Sequence, residues 1–81
     1  MTSLADVEEE VFRVLGTLIP RGTVIKPDQW LLADLKLLSD DATQMIIDLE
    51  RHYHIKTTQA EWNTVLTVQD TIDVIARHVV K

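Results

Sequence analysis

Few side chains in this 81-residue sequence could do chemistry, and they fall into three groups. There is no cysteine, which excludes disulfides, thiolate metal sites and a cysteine nucleophile. One hydroxyl stands directly before two carboxylates, in Ser39-Asp40-Asp41. Three histidines follow, His52, His54 and His78. A pair of carboxylates can share acid–base work, but no pocket is implied around Asp40 and Asp41, so the charged first turn of a helix is the better reading. His52 and His54 are spaced so that one helix would point them to different faces, and no metal is expected. Trp30 and Trp62 could anchor a partner, yet in so short a chain they read better as core fillers. Ser39 is the residue with most scope. A serine at a helix start can cap free backbone N–H groups, and an anion attached there would be stabilised by those groups and by the helix dipole.

Charge narrows the classes of partner. Thirteen acidic residues against eight basic ones give a net charge of −5. Nucleic acid and anionic membrane surfaces are disfavoured, because both need a basic face. Basic patches on other proteins suit an acidic domain instead. The N-terminus lacks the basic region and apolar run of a signal peptide, and no apolar stretch reaches the ~20 residues that span a bilayer. A cytoplasmic monomer, one domain over residues 1–81, is therefore expected. A chain of this length has little scaffold for a deep cleft, so it is expected not to be an enzyme.

The elements that must position these residues are helices. Ser3-Leu4-Ala5-Asp6 has the spacing of a capping box, and Leu4, Val7, Val11, Val14 and Leu18 then recur at helical intervals. Gly16 and Pro20 mark the end of that helix. Residues 20–38 read as a long connection, punctuated by Pro20, Gly22 and Pro27. Val24, Ile25, Trp30, Leu32 and Leu35 are expected to anchor it to the core, with a short helix over 28–33. Ser39-Asp40-Asp41 opens the second helix, whose stripe is Ala42, Met45, Ile46, Leu49 and Tyr53, with Asp48, Arg51 and His52 outside; it should end near His54. A second connection over 55–66 could hold a short helix around 60–64, with Trp62 and Val65 inward. Thr67-Val68-Gln69-Asp70 again has capping-box spacing, and Val68, Ile72, Ile75 and Val79 give the last helix its buried face. No segment of useful length alternates as a strand would. The expected fold is all-α, three principal helices plus one short one, with Val11, Leu15, Ile46, Leu49, Ile72 and Ile75 in one core.

With these elements laid out, the sequence resembles the acyl carrier protein family. Asp34-Leu35-Lys36-Leu37-Leu38-Ser39 is similar to the family's D-L-G-x-D-S, and Met45-Ile46-Ile47-Asp48-Leu49-Glu50 to its L-V-M-A-L-E. Tyr53 falls on the usual Phe. Without a gap, Thr67-Val68-Gln69-Asp70 lands on T-V-x-D, followed by Ile72 and Ile75. The likeness covers roughly the last 50 residues closely and the first helix only in pattern.

The resemblance implies an acyl-carrier-type bundle with a long first loop. It also implies that Ser39 carries 4'-phosphopantetheine, whose terminal thiol holds an acyl group as a thioester, in fatty-acid or polyketide-type biosynthesis. The implied partners are a phosphopantetheinyl transferase and acyl-transfer or synthase enzymes whose basic patches meet Asp40, Asp41, Asp48 and Glu50 on the second helix. Three residues depart from the pattern. Lys36 stands where Gly is usual, and the family's D-S-L reads Leu38-Ser39-Asp40. The string Ser39-Asp40-Asp41-Ala42 also resembles carrier-like domains in which G-D-D-A replaces the modified Ser and the prosthetic group is lost. The alternative is therefore a carrier fold without prosthetic group, acting as a protein-binding adaptor or regulator.

Overall fold

Three of the helix starts are set by reciprocal side-chain caps, two of them at the spacings read from the sequence. In the computed structural model, which describes residues 2–80, Ser3 Oγ accepts the Asp6 N–H at 3.2 Å while Asp6 accepts the Ser3 N–H at 3.1 Å. Thr67 and Asp70 exchange the same pair of bonds, both at 3.1 Å. The third is Thr58 with Glu61, at 3.3 and 2.7 Å. Each box satisfies backbone donors that a helix start leaves unpaired. The elements are α1 (Leu4–Leu18), α2 (Ser39–Tyr53), α3 (Gln59–Trp62) and α4 (Val68–Val79). α1 packs against both α2 and α4, and α3 leans on α4.

The core is built from the expected stripes with some changes of occupant. Val7, Val11, Val14 and Leu15 of α1, Met45 and Leu49 of α2, and Val68, Ile72 and Ile75 of α4 are all buried. Ile46 is half-buried and packs on the edge of this cluster, and Val79 does the same. Leu4 is exposed. Thr71 and Val74 are buried although the stripe of α4 did not include them. Thr71 is accommodated because its hydroxyl donates to the Thr67 carbonyl at 3.3 Å.

The first connection departs most from expectation. Residues 28–33 form no helix; Trp30 makes an isolated antiparallel bridge with Thr67, followed by a hydrogen-bonded turn. The Leu31 N–H donates to the Leu66 carbonyl at 2.9 Å, and the Val68 and Gln69 N–H groups donate to Gln29 and Pro27 at 3.0 and 2.8 Å. The loop thus supplies acceptors to the first turn of α4. The bridge and the turn that follows it bury Leu31 and leave Trp30 and Leu32 exposed. Trp30 is therefore not a core filler, and Val24 is exposed as well. Leu35 anchors the loop as expected, joined by Leu31 and Leu37; Ile25 is half-buried. The short helix α3 begins one residue earlier than expected and ends at Trp62, which is half-buried against the core.

Candidate functional site at the start of α2

The chain reaches Ser39 through a left-handed residue. Lys36 has φ 58°, a region that disfavours any side chain with a Cβ, which gives a physical reason for the glycine usual at this position. The turn brings the Leu37 N–H back to the Leu31 carbonyl at 3.0 Å and buries Leu35 and Leu37. Leu38 and Ser39 then emerge into solvent.

Ser39 is not the cap of α2. It is the first helical residue, and the cap position belongs to Leu38, which is 70% exposed. Leucine has no acceptor to offer, so the Ser39-as-cap reading is replaced by another arrangement. The Asp41 carboxylate reaches back and accepts the Leu38 N–H at 3.3 Å, while the Ala42 N–H donates to the Leu38 carbonyl at 2.9 Å. The N–H groups of Ser39, Asp40 and Asp41 have no partner within the helix. The Ser39 side chain makes no capping bond, so its hydroxyl is exposed and uncommitted among the described residues.

One turn along α2 from Ser39, Ala42 forms part of the wall of an apolar cavity of about 260 Å³. Trp30, Leu32, Leu37, Val65 and Leu66 also line it, so its walls come from the first connection, α2 and the segment before α4. A larger and more polar hollow, about 330 Å³, lies near the other end of α2 between Glu10, Arg13, His52 and Tyr53. Its residues are tied to one another. Glu10 accepts from Arg13 and lies 3.5 Å from His52 Nδ1. Arg13 above all, with His52 adding to it, holds the Glu10 carboxyl below its usual range. His52 is some 20 Å along the helix from Ser39, at 1.5 Å per residue.

The four acids assigned to α2 do different jobs. Asp40 is exposed and in no ion pair among the described residues, whereas Asp41 fastens the helix start. Asp48 is half-buried and accepts from Gln44 at 2.8 Å. Glu50 accepts both the N–H and the hydroxyl of Thr57 at 2.7 Å, and Thr57 in turn accepts the Trp62 indole N–H at 2.6 Å. The Thr57 N–H, and then its hydroxyl, hold the Glu50 carboxyl below its usual range. Glu50 is thus a strut from α2 to α3.

The histidines are also dispersed. His54 ends α2 in the left-handed region at φ 55°, and His78 Nε2 lies 2.6 Å from Glu61, tying α4 to α3. No group of three potential metal ligands occurs among the described residues. Sequence reasoning missed both struts to α3. Thr58-Gln59-Ala60-Glu61 has the same capping-box spacing used elsewhere and could have located the helix; the Glu61–His78 contact, 17 positions apart, carries no local signal.

No protein-family model matches the chain, and no curated protein does. Among solved structures the chain is similar to one described as "a putative acyl carrier protein" from Mycobacterium tuberculosis. The TM-score is 0.83 at 24% identity, over 89% of this chain and 97% of that one. The fold is therefore the all-helical acyl-carrier type. No helix among the described residues is long and apolar enough to cross a membrane.

Proposed function

We propose that this chain is a carrier of acyl groups rather than an enzyme, with 4'-phosphopantetheine on Ser39. The observation that supports this most is an exposed, uncommitted serine hydroxyl at the start of α2, beside an apolar cavity, in a fold of the acyl-carrier type. The residues present fit the group. A phosphodiester on Ser39 would face the unpaired N–H groups of the first turn. The group supplies a flexible arm ending in a thiol that holds acyl cargo as a thioester. In a reaction catalysed by a partner transferase, Ser39 Oγ would lose its proton and attack the pantetheine-side phosphorus of coenzyme A, breaking the pyrophosphate P–O bond and releasing adenosine 3',5'-bisphosphate. Apolar walls at Leu37, Ala42 and Val65 can take up part of the cargo and keep water from it. In this reading the protein is a cytoplasmic, single-domain monomer. It serves acyl-transfer or synthase enzymes of fatty-acid or polyketide-type synthesis, whose basic patches meet α2, with Asp40 the acid freest to make that contact.

Asp40 also favours a second reading, because it replaces the apolar residue that follows the modified serine in the resembling family. In that reading the fold is an adaptor or regulator with no prosthetic group. Intact mass after incubation with coenzyme A and a broad-specificity phosphopantetheinyl transferase separates the two. The carrier reading expects a gain of one phosphopantetheine in wild type and none in Ser39→Ala, with unchanged helical content. A wild type that stays at its unmodified mass with several transferases, and in Asp40→Leu as well, establishes the adaptor reading.

A further inference from the structure

The apolar residue lost after Ser39 has counterparts elsewhere around it. Four large apolar side chains are substantially exposed on this side of the molecule: Trp30 at 48%, Leu32 at 65%, Leu38 at 70% and Leu66 at 50%. Single exposed leucines are ordinary on any surface, but apolar side chains gathered around one opening mark a contact surface. Trp30, Leu32 and Leu66 line the same cavity, and Leu38 lies between Leu37, which lines it, and Ser39. Leu38 is also bonded through its carbonyl to Ala42, another wall residue. The segment 28–41 that carries most of this patch holds four acids, Asp28, Asp34, Asp40 and Asp41, against one base, Lys36. None of the four acids is in an ion pair among the described residues.

We propose that the protein partner which acts on Ser39 docks on Leu38, Trp30, Leu32 and Leu66, on the first-loop side of the serine, through an apolar contact ringed by basic side chains. The inference rests on the carrier reading and specifies where its apolar contact lies. Asp40 then sits where an incoming basic rim would meet it, and the order Leu-Ser-Asp exchanges the two contacts without losing either. Tryptophan is among the residues that most often dominate such interfaces, and the leucines around Trp30 would exclude water from it.

The test is steady-state modification of the unmodified protein by a broad-specificity phosphopantetheinyl transferase with coenzyme A, for wild type, Trp30→Ala and Leu38→Asp. Leu38→Asp is informative because it recreates the Asp-Ser of the resembling family and gives α2 a side-chain cap, so its fold should hold or improve. The expected result is a KM for the carrier raised about tenfold in each variant, the scale of a dominant interface residue, with kcat within about twofold and thermal midpoints no lower than wild type for Leu38→Asp. Unchanged kinetics in both variants, faster modification of Leu38→Asp, or a loss at Trp30 with none at Leu38 would each overturn the proposal while leaving the carrier reading intact. Absence of phosphopantetheine from both wild type and Asp40→Leu with several transferases refutes the carrier reading, and this surface with it.

Discussion

Lys36→Gly should stabilise the protein, and the size of the gain can be worked out from its backbone. Lys36 holds φ at 58°, where the Cβ of an ordinary residue costs about 1–2 kcal/mol. Glycine removes that strain but adds about 0.4–1 kcal/mol of entropy to the unfolded chain. The two ranges leave a net gain between about 0 and 1.6 kcal/mol, and the middle of it, about 0.5–1 kcal/mol, is the expected value. The lysine side chain is exposed and makes no ion pair among the described residues, so little is lost with it. With a urea slope of about 1 kcal/mol/M, fitting so small a domain, the midpoint should rise by about 0.5–1 M. Thermal unfolding should shift upward by roughly 3–6 °C. Lys36→Ala is the control, since alanine keeps the strain and loses the charge; it should stay within about 0.5 kcal/mol of wild type. A Gly variant less stable than wild type, or an Ala variant that gains as much as Gly, would show that the conformation at 36 carries no strain. The turn that delivers Ser39 would then need another explanation.

Three further outcomes are expected. Leu49→Ala removes a fully buried side chain from the centre of α2 and should cost about 2–5 kcal/mol in urea denaturation, most of the stability of a small domain. Asp6, Glu50, Glu61 and Asp70 all have carboxyls held below their usual range, in each case first of all by a hydrogen bond from a backbone N–H, at Ser3, Thr57, Thr58 and Leu66 respectively. Their stabilisation is fully present above the unfolded range of about pH 4 and is lost as pH falls through the lower folded values; Asp70→Asn should flatten that acid limb, measured by denaturation from pH 6 to 2. Asp40→Lys should slow association with a transferase, and raising salt toward 1 M should erase the difference, because the contact is exposed and screened. An association rate for Asp40→Lys equal to wild type at low salt would remove Asp40 from the docking surface. Asp41 is the poorer probe, since replacing it also unfastens Leu38.

Residues with local partners were legible in the sequence, and residues with distant ones were not. Ser3–Asp6 and Thr67–Asp70 depend on neighbours three positions apart, and α1, α2 and α4 follow from apolar spacing at the helical period. Trp30 and Leu32 were misplaced because apolar residues in the first connection were read as anchors, whereas the bridge to Thr67 and the turn after it bury Leu31 and leave these two outside. Ser39 was placed correctly at the start of α2, but it is not the cap. A serine before a helical stripe suggests a cap, and only the geometry reveals that Asp41 serves the cap position from inside the helix. The strut from Glu50 through Thr57 to Trp62 was invisible for the same kind of reason. Glu50 faces a loop whose path the sequence does not specify.

The reversal around Ser39 has a structural precondition. Leucine is among the poorest residues at a helix cap, costing about 1 kcal/mol against Asp or Ser. It can occupy position 38 because Asp41 takes over the Leu38 N–H and because the first-turn carboxylates, Asp40 and Asp41, suit the helix dipole. The N–H groups of the first turn still lack a side-chain acceptor at 38, so the leucine stands there at a cost to α2. A leucine that is 70% exposed gains little from burial there. An apolar side chain kept in water beside the hydroxyl proposed to carry the prosthetic group is better explained by what meets it from outside than by the stability of α2. The acids of the first turn therefore divide their work: Asp41 holds the helix start together, which leaves Leu38 and Asp40 on either side of Ser39 free for a partner.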